Sequence, residues 1–371
     1  MAQTGQKIFN VGIVGYGMSA KIFHIPFITT SPAFKLHSIL QRTPKPESSA
    51  PQDYPKIQHF QTLEPFLADS ALDVVVISTP PETHFSVASA ALNAGKHVFA
   101  EKPFVPTSAE ARELIRIAAE NKRQICVYQN RRWDGDFQTV RQLLSQNKLG
   151  RVYEFETHFD RYRLDKPASW KGELGIAQGG SALYDLGTHL VDQVYVLFGM
   201  PKGVFATLVS QRDGRVRSNA DDATVEPDSV NMQLFYDAGL IVHVRIAILS
   251  AETRQPRFWI RGSKGTYHKT GLDPQEDQLK AGMAADDKQF GREGEDAQGS
   301  LVTVGEDGKM TETACPNVEP PVTYSKIYEL FGESLRGNGP VPVPAEEAMD
   351  VLRILEAAQE SSLTRREVAL S

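Results

Sequence analysis

Residues Lys7 to His24 read KIFNVGIVGYGMSAKIFH. Ile8, Phe9, Val11, Ile13 and Val14 make a short, largely β-branched apolar run, the pattern of a buried strand. The run breaks into Gly15-Tyr16-Gly17-Met18-Ser19-Ala20, a G-x-G-x-x-A turn. Glycine at the first two marked positions lets the backbone turn tightly and approach a pyrophosphate. The small Ala20 lets the next helix pack close to the strand, so that its N-terminal N–H groups and partial positive charge lie under the phosphates. A strand before the glycines and a helical pattern after them are the context this reading requires. A dinucleotide site is therefore expected, the plain alternative being an ordinary strand-to-helix turn.

A chain of 371 residues exceeds what one core ordinarily supports, so two domains are expected, 1–130 and 131–371. Hydrophobic residues at 41% and charged residues at 23% are normal for a globular protein. A formal net charge of -6 and a pI near 5.9 argue against nucleic acid as a partner. The opening MAQTGQK has no apolar signal core, and no apolar run approaches the roughly 20 residues of a membrane span. Cys126 and Cys315 lie far apart without metal-ligand spacing. A cytoplasmic, reducing setting without disulfides, structural metal or membrane contact is the expectation.

Downstream, Ile22 to Thr30 reads as a helix interrupted by Pro26, and Phe34 to Leu40 as the second strand. In dinucleotide folds a carboxylate beyond the second strand holds the ribose 2′-hydroxyl of NAD, whereas arginine there accommodates the 2′-phosphate of NADP. Here the strand runs into Gln41-Arg42-Thr43-Pro44-Lys45 with no acid, which favours NADP over NAD. Strands are expected at Leu72–Ser78, Lys96–Ala100 and Gln124–Tyr128, alternating with helices His84–Ala94 and Ser108–Glu120, the pattern of a doubly wound parallel sheet. Such sheets bind ligands beyond the carboxyl ends of their strands, where Glu101-Lys102-Pro103 falls. After a crossing near Gln129 to Trp133, period-two segments from Val152 to Gly262 predict an open, mainly antiparallel sheet. Residues Leu272 to Thr313, rich in Asp, Glu, Gly and Gln, read as long surface connections, and two helices close the chain.

Gly179-Gly180 precedes SALYDLGTHLVDQVYVLFG. At about 100° per residue, Leu183, Leu186, Leu190, Val194 and Leu197 share one helical face, with Asp185, His189 and Asp192 opposite. An Asp four residues before a His can support the protonated imidazole, which suits a group that takes an alcohol proton as hydride leaves the same carbon. An equally plain reading is two solvated side chains. His24, His158 and His243 read as structural.

Taken together, VGIVGYGMSA, VVVISTPPETH, ALNAGKHVFAEKP and GGSALYDLGTHLVDQVYVLFG resemble the family of glucose–fructose oxidoreductases, inositol dehydrogenases and rhizopine-catabolism proteins, Gfo/Idh/MocA, over nearly the whole chain. QNRRWDGDF, FDRYR and GLDPQEDQLKAG are similar to the branch that contains NADP-dependent scyllo-inositol dehydrogenases. The resemblance implies an N-terminal Rossmann domain and a C-terminal α/β domain whose open sheet mediates dimers or tetramers. It implies Lys102 beside the reacting hydroxyl and the cofactor, with a cis Lys102–Pro103 peptide, His189 as general acid/base, and Asp185 as its orienter and a substrate contact. Gly15, Tyr16, Gly17, Met18 and Ala20 would cover the pyrophosphate, while Thr79, Pro80, His84, Glu101 and Asn130 would line the rest of the cofactor path. Pro81 departs from the pattern, since many relatives carry Asn there. Tyr162 and Trp170 are candidates for a sugar-binding wall, because aromatic faces and hydroxyls suit polyols. The expected activity is hydride transfer between NADP and a secondary alcohol of a cyclic polyol or sugar. The rival is a silent, NADP-sensing regulator, from which retention of Lys102, Asp185 and His189 argues away.

Overall fold

The computed structural model describes residues 6–166, 170–218 and 224–370, leaving aside the side chains at 170 and 171. Its contacts divide the chain into two units. The first holds Met1–Asn130, Gln275–Phe290 and Thr323–Met349, and the second holds Arg131–Pro274, Gly291–Val322 and Asp350–Ser371. A single cut after residue 130 therefore misses two returns to the first unit.

The first unit is built on six parallel strands: β1 (Phe9–Val14), β2 (Phe34–Leu40), β3 (Gln58–Phe60), β4 (Val74–Ile77), β5 (His97–Ala100) and β6 (Ile125–Val127). Their order is β3-β2-β1-β4-β5-β6, the dinucleotide-binding arrangement whose direction reverses between β1 and β4. All four residues of β4 are buried, as befits a central strand covered on both faces. The helix Ser108–Glu120 starts with a capping box in which the Glu110 N–H donates to Thr107 Oγ1 at 3.2 Å and the Thr107 N–H to Glu110 Oε2 at 3.1 Å. Pro26 does not break the helix that follows the glycine turn. The backbone widens into a π-helical turn over Ala20–His24, with the Ile25 N–H bonding back to Ala20 O, and continues as α-helix over Ile25–Thr30. Proline has no N–H and its ring would strike the carbonyl four residues back, and the wider turn accommodates both.

The second unit carries a larger sheet of β7 (Val152–Asp160), β8 (Gly203–Ser210), β9 (Arg215–Val216), β10 (Ser229–Phe235), β11 (Ile241–Ala247), β12 (Pro256–Gly262), β13 (Gly265–Thr270), β14 (Gly299–Val304), β15 (Met310–Cys315) and β16 (Val368–Ala369). The main path runs β15-β14-β13-β12-β7-β11-β10-β8-β16, with β9 on β8. Among the described residues of this sheet, only β7 and β11 pair in parallel. Val230, Met232 and Leu234 of β10 and Val242, Val244 and Ile246 of β11 alternate inward, and the helix Thr188–Phe198 packs on β7 and β11 through this face.

The stretch Leu272 to Thr313 corrects the expectation of surface connections. It contains the helix Gln275–Lys280 of the first unit, then β14 and, from Met310, the start of β15 in the second. Five of the six β15 residues are exposed, so this edge hairpin has no apolar alternation to betray it.

Candidate active site

In the first unit the ends of β1, β4 and β5 converge. The Gly15 N–H donates to Leu40 O at 2.9 Å, the Ser78 N–H to Val14 O at 2.9 Å, and the Glu101 N–H to Ile77 O at 3.0 Å. Gly15 has φ of 98°, and an added Cβ would fall inside contact distance of the Ser78 carbonyl oxygen. Gly17, in contrast, has nothing among the described residues within 4 Å of where a Cβ would be. A backbone that must be glycine on one side and lies open on the other, followed directly by a helix, fits a bound pyrophosphate. Holding alanine in the Gly15 conformation costs ~1–3 kcal/mol, and relaxation would pull the turn out of this shape. Gly15→Ala is expected to raise the dinucleotide dissociation constant about tenfold or more, read by fluorescence titration.

Tyr16 is nearly buried, and its hydroxyl donates to Asp53 Oδ2 at 2.6 Å. Lys21 Nζ lies 4.4 Å from the centre of the Tyr16 ring and 3.7 Å from the same carboxylate. Burial and the Asp53 carboxylate push the phenol well above its ordinary pKa, so it remains a donor. Tyr16 thus ties the glycine turn to the segment after β2. Gln41 clasps that segment from within, donating to Ser48 O at 2.7 Å and accepting from the Ala50 N–H at 2.8 Å. Arg42 and Lys45 stand exposed and pair with no carboxylate among the described residues. Met18 is 51% exposed beside Gly17, and Ala20 is fully buried.

At the other end, the Lys102–Pro103 peptide is cis. Glu101 does not face outward: its carboxylate accepts the Ser19 hydroxyl, His24 Nε2 at 3.0 Å and the Lys102 N–H at 3.1 Å. Burial alone would raise its pKa. The His24 ring, the Ser19 hydroxyl and the nearby Lys102 ammonium outweigh that and hold it at about 2. His84 is fully buried and works as a strut. Its Nε2 meets Thr79 O at 2.8 Å, while its Nδ1 meets Pro103 O at 3.0 Å and Phe104 O at 3.1 Å. Thr79 accepts the Thr83 hydroxyl at 2.7 Å and stays half-buried with Pro80. Asn130, nearly buried, ends the first of the three segments of this unit. Gly15, Ser19, Thr79, Glu101 and Lys102 are therefore joined by direct contacts or by neighbours in the chain, and Arg42 follows two residues after the strand end that Gly15 contacts.

In the second unit Asp185 sits in a π-helical turn, Leu183–Gly187, that opens into the α-helix Thr188–Phe198. The Thr188 hydroxyl donates to Tyr184 O within that turn. The extra residue per turn breaks the uniform 100° advance, and such turns recur at functional sites. Asp185 is half-buried and His189 is 6% exposed. The face read as polar is therefore not a solvated one. Asp192 is 1% exposed and held by Arg132, with Nε at 2.8 Å from Oδ2 and Nη2 at 2.6 Å from Oδ1. One residue on, Gln193 donates to Arg131 O at 2.6 Å and accepts from Arg257 Nη2 at 2.8 Å. Arg257 also bonds Asp136 Oδ2 at 2.8 Å and Thr157 Oγ1 at 3.0 Å. This buried lattice fixes the helix that bears His189, and sequence reasoning missed it. Its available signal was QNRRWDGDF, too polar for an ordinary domain crossing. Tyr162, 57% exposed, bridges to Leu249 after β7, while the Trp170 side chain lies outside the described residues. His158 lies between Asp160 at 2.8 Å and Glu156 at 2.9 Å, an arrangement its isolated position in sequence did not announce.

Two family descriptions match the chain: an oxidoreductase family, NAD-binding Rossmann fold over residues 9–129, and its C-terminal alpha/beta domain over 141–370. The chain is 36% identical to scyllo-inositol 2-dehydrogenase (NADP(+)) IolW of Bacillus subtilis, covering 97% of this chain and 95% of that one. It is 37% identical to an uncharacterized oxidoreductase, C115.03, of Schizosaccharomyces pombe over 96% and 98% of the two chains. The solved structure of the B. subtilis oxidoreductase yvaA superposes with a TM-score of 0.90 at 33% identity, covering both chains fully. A six-stranded parallel sheet with its glycine turn, a mostly antiparallel second sheet and these matches across both halves agree: the chain belongs to the Gfo/Idh/MocA family of oxidoreductases.

Proposed function

We propose that the protein is an NADP(H)-dependent dehydrogenase that interconverts a secondary alcohol of a cyclic polyol or sugar, scyllo-inositol-like, with its ketone. The observation that carries this reading is the buried Glu101 carboxylate, which holds the Lys102 main chain and the Ser19 hydroxyl of the phosphate turn at once. It roots a primary amine directly beside the dinucleotide turn. When bound, the nicotinamide supplies the hydride acceptor. In oxidation the carbinol C–H bond breaks with its electron pair leaving as hydride, the O–H proton passes to the His189 imidazole, and a carbonyl remains. The Lys102 ammonium donates to the substrate oxygen and favours its alkoxide character, while Asp185 orients His189 and contacts a neighbouring hydroxyl. Holding the alcohol and the cofactor together converts a bimolecular encounter into an oriented one. Tyr162 and Trp170 form part of the polyol wall, and Met18, Ala20, Thr79, Pro80 and Asn130 line the cofactor. The outer face of the second sheet, where Ile241 and Trp259 are each 38% exposed, serves self-association into dimers or tetramers.

Turnover of NADP with a panel of inositols and aldoses tests the reading, with NADPH formation on at least one cyclic polyol as the expected result. NADP rather than NAD follows from exposed Arg42 and Lys45 at an acid-free strand end. A charge-assisted hydrogen bond is worth ~1.5–3 kcal/mol. Arg42→Ala is expected to weaken NADP about tenfold or more and leave NAD affinity unchanged, measured as paired dissociation constants.

A further inference from the structure

We propose that His24 is a positioning residue for Lys102, acting through Glu101. The assignment rests on the reading above, in which Lys102 meets the reacting hydroxyl. His24 is completely buried, yet neither of its ring nitrogens faces an apolar neighbour: Nε2 is 3.0 Å from Glu101 Oε1 and Nδ1 is 2.7 Å from the Tyr328 hydroxyl. A carboxylate accepts only, so Nε2 is the donor of the first contact. Tyr328 holds the opposite side of the ring, and the Tyr328 and Tyr128 hydroxyls each reach Phe23 O at 3.0 Å, fixing the main chain just before His24. The Tyr128 ring centre lies 4.7 Å from that of His24. The imidazole thus has one orientation available, with Nε2 aimed at Glu101.

A buried carboxylate without donors is costly and takes up a proton or moves. Glu101 instead stays ionised because His24 and Ser19 donate to Oε1, which leaves Oε2 to accept the Lys102 N–H at 3.1 Å. Three parts of the first unit therefore meet on one carboxylate: the phosphate-turn helix through Ser19, the helix Ser325–Leu335 through Tyr328 and His24, and the backbone from which the Lys102 amine extends. Removing the imidazole takes one of the two donors from Oε1 and frees the Lys102 peptide, while the Ser19 hydroxyl still ties Glu101 to the glycine turn.

The test is a double-mutant cycle with two readouts, kcat and the rate at which an amine-acylating reagent labels Lys102 in the protein without cofactor, followed by mass spectrometry. His24→Phe is expected to lower kcat tenfold or more and to change Lys102 labelling at least threefold, with labelling of Lys35 and the NADP dissociation constant within twofold of wild type. His24→Gln, whose side-chain amide keeps a donor for Glu101, restores most of both. Glu101→Gln combined with His24→Phe is expected to be no worse than Glu101→Gln alone. If His24→Phe does not fold, His24→Gln and its double variant with Glu101→Gln carry the cycle, and a Lys102 labelling rate equal to wild type in Glu101→Gln overturns the proposal. Additive losses, or unchanged labelling in His24→Phe, overturn it as well. Because labelling needs no substrate, a wild type inactive on every polyol would sink the proposed reaction while this result still decides the role of His24.

Discussion

Lys102→Ala is expected to lower kcat/KM for polyol oxidation by about a thousandfold, with NADP affinity within a few fold of wild type. The reasoning is electrostatic. Hydride leaves a carbon only as its oxygen takes on alkoxide character, and a fixed cation there is worth ~3–4 kcal/mol in a water-poor site. Alanine offers no charge and no donor, while the glycine turn and the Ser19 contact that hold the cofactor segment stay in place. His189→Ala removes the proposed proton acceptor and is expected to cost about 10²–10⁴ in kcat. Steady-state rates with separately measured NADP dissociation constants check both. A loss confined to NADP binding would move Lys102 from the chemistry to the cofactor.

The second large effect concerns stability. Arg257 and Asp136 form an ion pair at 2.8 Å with side chains 1% and 0% exposed, and the same guanidinium serves Thr157 and Gln193. Asp136→Leu would strand a buried cation, and breaking such a pair costs ~3–5 kcal/mol. For a unit of this size that lowers Tm on the order of 10 °C. The double variant Asp136→Leu, Arg257→Met is expected to recover much of the loss, because two well-packed apolar side chains avoid the desolvation of both charges. Calorimetry on wild type and both variants checks this, and an Asp136→Leu protein that melts within about 2 °C of wild type would contradict it.

The parallel sheet was legible because its signals are local. An apolar β-branched run, a turn that only glycine can make at Gly15, and strands alternating with helices each announce themselves within a dozen residues. The second sheet was legible where one face is buried, as in β10 and β11, and illegible at the half-buried β14 and the exposed edge strand β15, whose burial shows no in-and-out alternation. The π-helical turns at Ala20–His24 and Leu183–Gly187 were invisible to a reading at uniform helical period. In the candidate site, Lys102, Asp185 and His189 were singled out by their motifs. What holds them was not, because it is made of long-range polar pairs. Arg132 meets Asp192 across 60 positions and His24 meets Glu101 across 77. Glu101, expected along the cofactor path, turns inward for the same reason: its donors come from segments remote in sequence.

The central claim is direct hydride transfer from a polyol carbon. Incubation with NADP and scyllo-inositol deuterated at its ring carbons, followed by mass analysis of the nicotinamide product, tests it most directly. The account predicts one deuterium per NADPH formed, with a slower rate than for the protiated substrate and about a thousandfold slower transfer in Lys102→Ala. Reduced cofactor that carries no deuterium, or no reduction with scyllo-inositol or any related cyclic polyol or sugar, would contradict it.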